Sequence, residues 1–428
     1  MNSYSRYLKA EKLLNEGLIR RDLSLFRPHS FIKTPGERLK TMEIFLKKSG
    51  TRGINIPAIH ITGTSGKGTT AAITARILQR LGLKVGLHTS PYLQSATEKI
   101  IIDGKYISAD QFADLVEWIE PVAKEFLSPM TPASIHGMAS VAIALEGFYS
   151  ENVDVIVFEA GCGGRFDLTR FIDTKVAVIT NVGMDHVLSL GPSLEDIAWH
   201  KAGIIKNGSS VFHSVDKDVS HVIDEEAKKE GASVKYIPKD GDALKQNFNL
   251  ALEAALDFAK QNNITFNRAE IIADYESLTE KLLPGRMEKM RETEFSVFLD
   301  GAHNHDKLKV ATDYALSNHK SGIKVALVGF LGAKASSSTV EPLINKFDYI
   351  IATEPVVFGK STFPAADTGK LFSNVKIDIE PDSSKALKIA LQSAKNGTLL
   401  ITGSFYLCGE LRNYWYPKKK VILDRTSW

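Results

Sequence analysis

The chain has 428 residues, of which 43% are hydrophobic and 24% are charged, a composition typical of a globular protein with two or three domains. Lysine and arginine number 53 against 50 aspartates and glutamates, and the resulting net charge of +3 argues against a nucleic-acid-binding surface. Two cysteines cannot supply a disulfide framework or a zinc site, and no apolar run opens the chain as a signal or reaches the roughly 18 residues of a membrane span, so we expect a cytoplasmic protein without a membrane partner.

Four short runs in the first half of the chain are apolar on both faces, which is typical of buried parallel strands. They cover 58–62, 85–90, 154–161 and 175–183. Between the first two runs, Ile73, Ile77 and Leu81 recur at helical spacing, and Gly82 offers a C-cap. This repetition of strand, helix and strand predicts a doubly wound, mostly parallel sheet.

The pattern changes after residue 212, where it becomes polar and mostly helical, and 247–261 predicts an amphipathic helix. Pro284 and Gly285 interrupt this pattern. A second series of predicted strands then covers 295–304, 324–332, 348–355 and 397–404. We therefore expect two α/β domains, 1–290 and 291–428, with ligands in a cleft at the carboxyl ends of their strands.

A glycine-rich segment, "IHITGTSGKGTT" at 59–70, contains the first predicted strand and the turn after it. It departs from the strict G-x-x-x-x-G-K-[ST] pattern, because Ile61 stands where the first glycine is expected. Its context, with a helix beginning near Thr69, is still that of a phosphate-binding loop, in which backbone amides bind phosphate and Lys67 adds a positive charge. Thr69 or Thr70 could offer a hydroxyl to Mg²⁺. The alternative is a structural turn with an exposed lysine.

Acidic and imidazole side chains follow two of the other predicted strands. Glu159 ends one strand, and Asp185 and His186 come just after the next. Because neighbouring parallel strands end at the same edge of a sheet, we expect these side chains beside the glycine loop. A carboxylate and an imidazole there could hold a divalent cation, and oxygen ligands suit Mg²⁺. Taken singly, Glu159 could be a salt-bridged strand end and His186 a turn residue.

Together these motifs resemble the folylpolyglutamate synthase/dihydrofolate synthase family of Mur-type ligases. The matching stretches occur in the family's order between about residue 35 and about residue 415: "IHITGTSGKGTT", "TSPYL", "EKIIIDGKYIS", "FEAGCGGRFD", "ITNVGMDHVLSLGPSLEDIAWHKAGIIKNG", "LPGRME", "VFLDGAHNHDKL" and "LITGSFYLCGELR". The resemblance implies an N-terminal P-loop-type ATP-binding domain with a mostly parallel sheet and a smaller C-terminal Rossmann-like α/β domain. It also implies an ADP-forming ligase, in which ATP phosphorylates a carboxylate and the amine of an amino acid, usually L-glutamate, attacks the acyl phosphate.

The resemblance also assigns roles to individual residues. The nucleotide site would comprise Thr64, Ser65, Gly66, Lys67, Gly68, Thr69, Asn249, Arg286, Asp300 and His303. Mg²⁺ would occupy two sites, one formed by Ser90 and Glu159 and the other by Glu159 and His186. The catalytic groups would be Lys67, His186 and Lys201, with Lys201 carbamylated. Taken singly, Arg286 could be a surface ion pair and Asp300 a helix N-cap. The implied partners are a small-molecule carboxylate and glutamate, and we expect a monomer.

The chain departs from the family's pattern mainly on the acceptor side. The altered positions lie in the glycine loop, in "TSPYL", in the loop 131–140 and in "GGRFDLTR": Ser65, Tyr92, Ile135, His136, Met138, Phe166, Leu168 and Arg170. In the second domain, Lys334 is retained from an altered motif, and Lys360 stands near the position of an expected arginine, whose bidentate fork it lacks.

These departures leave two interpretations open: a folate enzyme with altered loops, or a diverged paralogue that ligates another carboxylate. In the second case His136 and Arg170 would recognise the different acid. An ATP-binding protein without ligase activity is a third possibility. A dinucleotide-dependent oxidoreductase is disfavoured, because "GCGGRF" at 161–166 is not followed by a suitably placed acidic residue for a ribose.

Overall fold

The computed structural model describes residues 1–18, 35–128, 131–292, 294–319, 321–332, 335–357, 361–372 and 375–428. The chain divides into two compact units, and each contains its own sheet. The first unit comprises 1–92, 96–282 and 422–426, and the second comprises 93–95, 283–421 and 427–428. Within the described ranges, no helix is long and apolar enough to cross a membrane.

The first unit is built on an eight-stranded sheet. Its strands are β1 (Pro57–Thr62), β2 (Val85–His88), β3 (Ile100–Ile102), β4 (Lys105–Tyr106), β5 (Val155–Glu159), β6 (Asp173–Ile179), β7 (Ser210–His213) and β8 (Ser233–Tyr236). The spatial order is β4-β3-β2-β5-β1-β6-β7-β8, and every pair from β2 to β8 is parallel. The predicted mostly parallel sheet is therefore confirmed, with an antiparallel extension formed by β3 and β4.

Helices of the first unit follow the strand–helix alternation. They are α1 (Ser3–Lys12), α2 (Pro35–Ser49), α3 (Lys67–Arg80), α4 (Ala109–Glu125), α5 (Ile135–Ser150), α6 (Val187–Leu190), α7 (Leu194–Ala202), α8 (Lys217–Lys229), α9 (Ala243–Gln261), α10 (Arg268–Ala273) and α11 (Tyr275–Thr279). Apolar side chains of α1, α4 and α5 pack with β1, β3 and β5 in the largest core of the unit.

Several boundaries differ from the sequence-based expectations. Helix α3 begins at Lys67 rather than near Thr69, because Gly66 adopts a left-handed conformation, with φ of +79°, that ends the turn directly before the helix. Helix α9 begins before 247, because the side chain of Asp242 caps it by accepting a hydrogen bond from the Lys245 amide. Strand β8 was missed because all four of its residues are exposed at the sheet edge, and an edge strand without a buried face lacks the apolar signal.

The second unit contains a six-stranded sheet of the order β13-β12-β11-β14-β10-β9. Its strands are β9 (Glu288–Lys289), β10 (Ser296–Leu299), β11 (Lys324–Val328), β12 (Tyr349–Glu354), β13 (Lys376–Asp382) and β14 (Thr398–Thr402). Its helices are α12 (His305–Ser317), α13 (Ser337–Val340), α14 (Ala365–Lys370), α15 (Ser383–Ser393) and α16 (Phe405–Arg412), and the last helix of the chain is α17 (Lys418–Asp424). All pairs except β9 with β10 are parallel, as expected for a smaller α/β unit.

The division between the units lies at 282/283, earlier than the expected 290/291. Residues 283–290 belong to the second unit because β9 pairs with β10. The segment 93–95 also belongs to the second unit, in which the Leu93 side chain packs against Gly285. A boundary predicted from the sequence pattern around Pro284 and Gly285 could not include the distant segment 93–95.

A buried ion pair holds these separate segments of the second unit together. Arg412 is fully buried, and its guanidinium donates to both carboxylate oxygens of Glu288 at 2.9 Å and 2.7 Å. The same guanidinium donates to the side chain of Gln94 and, at 2.7 Å, to the carbonyl of Ser427. The pair therefore joins β9, α16, the 93–95 segment and the end of the chain through one planar group with several donors.

We expect Arg412→Leu to lower the free energy of unfolding of the second unit by about 3–5 kcal/mol, because it leaves the Glu288 carboxylate buried without its partner. Chemical denaturation followed by circular dichroism measures the loss. Lys309→Leu is the matched control, since Lys309 forms an exposed pair with Asp313 and should cost less than about 1 kcal/mol. Equal effects of the two substitutions would show that the buried pair carries no special stability.

Candidate nucleotide and metal site

The glycine loop turns sharply between the end of β1 and the start of α3. Gly63 and Gly66 have φ of +153° and +79°, values that L side chains rarely adopt. A Cβ at Gly63 would also overlap the Thr180 hydroxyl, so that position needs glycine for close approach as well as for conformation.

Residues just after β6 hold the loop in place. The side-chain oxygen of Asn181 accepts hydrogen bonds from the amides of Thr64 and Ser65, both at 3.0 Å. The Thr180 hydroxyl donates to the Ser65 carbonyl at 2.6 Å, and the Gly183 amide donates to the Thr64 hydroxyl at 3.0 Å. The ends of β1 and β6 are thus joined by side-chain as well as strand contacts.

This arrangement changes which amides face a phosphate. Thr64 and Ser65 were expected to contribute amides, but both amides are engaged by Asn181. The first-turn amides of α3, those of Lys67, Gly68 and Thr69, have no acceptor within the helix, as in any α-helix. They combine with the positive end of the helix dipole to favour an anion at this point. The Lys67 ammonium lies over the loop and donates to the Gly63 carbonyl at 2.8 Å.

Helix α9 contributes an asparagine to the loop, although it is not the predicted one. A Cβ built on Gly66 would overlap the carboxamide of Asn247, so Asn247 lies against the loop. Asn249, the residue expected at the nucleotide, is half-buried and lies two positions further along the helix. Two positions turn the helix by about 200°, so the two side chains project from different sides.

Glu159 and Ser90 meet at the carboxyl ends of β5 and β2. The Glu159 carboxylate is 4% exposed and accepts a hydrogen bond from the Ser90 amide at 2.8 Å. The parallel pairing of β2 with β5 brings these two strand ends together. The structure therefore unites two of the three expected metal ligands.

His186, the third expected ligand, has a different environment. Its side chain is 55% exposed and its backbone adopts φ of +52° directly before α6. Its Nε2 lies 3.9 Å from the carboxylate of Asp185. Across the described ranges, no group of three or more histidine, cysteine, aspartate or glutamate side chains is placed to hold a metal ion.

Lys201 lies buried near the end of α7, which begins with a capping box formed by Ser193 and Asp196. The carboxyl end of α7 packs directly on the glycine-rich segment after β5, where a Cβ at Gly164 would press on the Lys201 carbonyl. The amide of Arg165 donates to the His200 carbonyl at 2.7 Å. The glycines at 163 and 164, which superficially resemble a dinucleotide fingerprint, therefore serve this close contact.

The charged groups around this contact affect the pKa of the Cys162 thiol. Burial and the Asp167 carboxylate raise the pKa of the Cys162 thiol to about 11. The ammonium groups of Lys201 and Lys67 act in the opposite direction on the same pKa. The charges of Lys67 and Lys201 therefore both act on the thiol in the segment that follows Glu159.

Three predicted residues of the second unit also lie near one another. The Asp300 carboxylate accepts hydrogen bonds from the Met287 amide at 2.9 Å and the Ala302 amide at 2.8 Å. Burial raises the pKa of Asp300, and the Arg286 guanidinium opposes that rise. The Arg286 guanidinium also lies 4.8 Å from the centre of the Phe405 ring, and His303 Nδ1 contacts the Gly301 carbonyl at 2.9 Å.

The helix-cap alternative for Asp300 is wrong. Helix α12 begins at His305, and its N-cap is Asn304, whose side chain accepts from the Lys307 amide. Asp300 instead fixes the loop between β10 and α12. Lys334 and Lys360 lie outside the described residues.

Two of the altered acceptor-side residues, Tyr92 and His136, share a hydrogen-bond partner. Tyr92, Asn15 and His136 form a chain in which Asn15 donates to the Tyr92 hydroxyl at 2.7 Å and His136 Nε2 lies 3.2 Å from the Asn15 oxygen. His136 belongs to α5, so the expected loop 131–140 is helical from Ile135, and Ile135 and Met138 are core residues.

Arg170 lies elsewhere. Its guanidinium donates to the carbonyls of Arg165 and Gly203 at 3.2 Å and 3.1 Å. The 3-10 turn Leu168–Phe171 returns the chain to the amino end of β6, away from the glycine loop. The guanidinium of Arg170 is thus bound to backbone carbonyls, whereas His136 belongs to the Tyr92–Asn15–His136 chain.

Comparison with known proteins identifies the family. The Mur ligase middle domain matches residues 61–269, and the C-terminal domain of dihydrofolate synthetase matches residues 284–414. The dihydrofolate synthase/folylpolyglutamate synthase of Bacillus subtilis is 28% identical over 417 residues, which cover 87% of this chain and 94% of the relative. The chain belongs to the folylpolyglutamate synthase/dihydrofolate synthase family.

Solved structures and further relatives agree with this membership in the Mur-type ligases. A folylpolyglutamate synthase of Mycobacterium tuberculosis, complexed with ADP, is similar with a TM-score of 0.80 and 26% identity, over 97% of this chain and 99% of that one. The folylpolyglutamate synthase of Neurospora crassa is 30% identical over 73% of this chain and 66% of its own length. The fold class expected from the sequence is confirmed.

We expect burial and the Asp167 carboxylate to suppress the reactivity of Cys162. Its alkylation by iodoacetamide should be about a hundredfold slower at pH 8 than in the unfolded chain, because the pKa of the thiol is about 11 rather than its ordinary 9.0. The rate should rise tenfold for each pH unit up to pH 9.5 without levelling off. Peptide mass spectrometry separates Cys162 from Cys408, and the urea-unfolded chain is the control. A rate that levels off near pH 9 would contradict the burial of this site.

Proposed function

We propose that this protein is an ATP-dependent, ADP-forming ligase that joins L-glutamate to a folate-class carboxylate. The match of both domain families in the order found in dihydrofolate and folylpolyglutamate synthases carries the proposal. The convergence of the glycine loop, Glu159 and Lys201 in the first unit supports it. The relatives give no support to a non-folate paralogue or to an ATP-binding protein without ligase activity.

The reaction requires the protein to bring two anions together, the acceptor carboxylate and the γ-phosphate of ATP. A carboxylate oxygen of the acceptor attacks the γ-phosphorus of ATP, which gives an acyl phosphate and ADP. The neutral amine of glutamate then attacks the acyl carbon, phosphate leaves, and the amine loses a proton as the amide forms. Positioning and electrostatic screening account for most of the catalysis in such transfers.

In this proposal the first turn of α3 and Lys67 bind the phosphates. The amides of Lys67, Gly68 and Thr69 point from the positive end of the helix, and the ammonium adds a mobile charge. Thr64 and Ser65 shape the loop through Asn181 rather than binding phosphate with their amides. Asn249, Arg286, Asp300 and His303 remain proposed nucleotide contacts by resemblance to the family.

The residues at the end of β5 fit Mg²⁺. The buried Glu159 carboxylate accepts from the Ser90 amide, so the serine lies close to it. Carboxylate and hydroxyl oxygens are ligands of the kind that Mg²⁺ prefers, and such sites usually keep several waters. Glu159 and Ser90 would hold one ion, and Glu159 and His186 a second. When bound, the metal would screen the negative charge of the two anions. His186 would need to turn its exposed side chain toward Glu159 to take part.

The acceptor site is proposed to lie near the Tyr92–Asn15–His136 chain. These residues replace or neighbour family positions on the acceptor side, and their polar atoms offer both donors and acceptors. Arg170 has no part in this proposal. We further propose that the enzyme works in the cytoplasm as a monomer.

Product analysis tests the function directly. Purified protein with ATP, Mg²⁺ and glutamate is offered dihydropteroate, tetrahydrofolate and a panel of other carboxylic acids, and products are read by mass spectrometry. We expect a glutamylated pterin with stoichiometric ADP and phosphate. Stoichiometric AMP would reject the acyl-phosphate route, and ATP hydrolysis independent of acceptor would favour a nucleotide switch. Glutamylation of a non-pterin acid alone would reject the folate class.

A variant pair links this activity to the site. Glu159→Gln should slow turnover by roughly a thousandfold or more, because an amide cannot replace a carboxylate as a ligand of Mg²⁺ in the transition state. Glu195→Gln, the same change at an exposed residue of α7, should stay within about threefold of the parent.

Lys201 is proposed to carry a carbamate. Burial of an ammonium needs a compensating anion, whereas a carbamate is itself an anion that a metal near Glu159 could compensate. Incubation with ¹³C-bicarbonate should give a carbamate NMR signal that Lys201→Ala abolishes and Lys217→Ala retains. Lys201→Ala should be nearly inactive, with partial rescue by acetate. A bare ammonium beside a bound metal in a crystal structure would refute the carbamate.

A further inference from the structure

A groove of about 600 Å³ lies in the first unit at the amino ends of β6 and β7. Asp173 and Thr174 begin β6 on one wall, and Asn207 and Ser209 precede β7 on another. The glycine loop lies at the carboxyl end of the same parallel strands. Since β6 has seven residues, the two edges are about 20 Å apart. The groove therefore lies at the opposite edge of the sheet from the glycine loop.

Arg170 and Lys206 give this groove its charge. Both line the groove and both are half-buried. Burial and, to a smaller extent, the Arg170 guanidinium lower the pKa of Lys206 to about 8. Burial and the Arg165 guanidinium lower the pKa of Arg170. Each cation is thus partly removed from water and lies near another positive charge, an arrangement that costs free energy.

The carboxylates nearby do not offset these charges by close contact. Asp173 pairs with Lys175 at 3.0 Å, and Glu226 pairs with Arg165 at 2.9 Å. The Glu230 carboxylate also lines the groove, and its negative charge raises the pKa of both Arg170 and Lys206. Among the described residues, neither Arg170 nor Lys206 has a carboxylate oxygen within 4.0 Å of its charged nitrogens.

The two cations are nevertheless held rigidly enough to form a site. Arg170 is anchored by one terminal nitrogen, which donates to the carbonyls of Arg165 and Gly203. The loop that carries Lys206 is closed by Ser209, whose hydroxyl accepts from the Lys206 amide at 3.2 Å and donates to its carbonyl at 2.8 Å. The turn at Gly208, with φ of +67°, is tied to the Glu230 carbonyl by a 3.0 Å hydrogen bond.

We propose that this groove binds a small polyanion through Arg170 and Lys206. The ligand would carry at least two phosphate or carboxylate groups, since the volume exceeds that of a single oxyanion and lies in the range of small-molecule sites. Arg170 would present its remaining guanidinium nitrogens, and Lys206 a point charge. Asn207 at the rim adds an exposed amide, and Phe171 an apolar wall. The proposal does not depend on the ligase activity.

Trace acetylation tests the site at the residue itself. The intact protein at pH 7.5 is labelled with limiting acetic anhydride. Acetylation of Lys206 is compared by peptide mass spectrometry with that of Lys217, an exposed lysine at the start of α8. The probes are pyrophosphate and citrate at up to about 10 mM, which would occupy even a weak site with a dissociation constant in the millimolar range. A bound anion covers the Lys206 amine and favours its charged form, so labelling of Lys206 should fall about tenfold or more while Lys217 is unchanged.

The two probes distinguish the source of the oxyanion. Protection by pyrophosphate alone assigns a phosphorylated ligand, protection by citrate alone assigns a polycarboxylate, and either result supports the site. Unchanged labelling of Lys206 with both probes overturns the proposal. Equal protection of Lys206 and Lys217 also overturns it, because that result indicates non-specific screening.

Variants separate the groove from general charge effects. Arg170→Met should raise by about tenfold the anion concentration at which labelling of Lys206 falls by half. Arg268→Met is the same change at an exposed arginine that pairs with Glu253, and it should leave this concentration unaltered. Glu230→Gln removes the one groove carboxylate without an ion pair among the described residues, and should lower that concentration by about threefold. The Glu230 variant keeps the test decisive if Arg170→Met does not fold. Protection that is insensitive to both groove variants would overturn the assignment.

Discussion

The side-chain carboxamide of Asn181 accepts hydrogen bonds from two successive amides of the glycine loop, and the rest of the candidate site depends on this contact. It joins the carboxyl ends of β1 and β6, so that the loop cannot move independently of the sheet. Thr180 and Gly183 reinforce the same junction. With the loop fixed, α3 begins immediately at Lys67, and its first-turn amides face the sheet edge where Glu159 ends the neighbouring strand. The proposed phosphate site and the proposed metal site thus lie at the ends of two paired strands.

The protein handles its buried charges in three different ways. Arg412 and Glu288 are fully buried, but each is satisfied by a partner, and the pair is structural. Glu159 and Lys201 are also buried, at 4% and 3% exposure, and both belong to the proposed ligase site. Arg170 and Lys206 are half-buried like charges with no close carboxylate among the described residues, which is why they point to a ligand. Burial alone does not distinguish structure from function; the partners of each charge do.

The acceptor side explains how the chain can belong to its family while departing from the family's pattern. Ile135 and Met138 replace expected residues with core side chains, so they alter packing rather than chemistry. His136 and Tyr92, by contrast, share Asn15 as a hydrogen-bond partner and form a small polar network. A change at Tyr92 is thus coupled to a change at His136 through a residue of the N-terminal segment. Such coupling allows these two altered side chains to change together without a change in the glycine loop.

The sequence by itself determined the parallel sheets, the glycine loop and the carboxylate at the end of β5, because each rests on local information: apolar runs, glycine spacing and strand-end position. It could not supply Asn181 as the anchor of the loop, Asn247 as the side chain against Gly66, or the exposed edge strand β8. Nor could it place 93–95 with the second unit, or join His136 to Tyr92 through Asn15. These features depend on which distant segments meet. The pattern of hydrophobic residues along the sequence contains no information on such pairings. Only the tertiary structure decided them, because close packing selects one partner for each buried amide and charge.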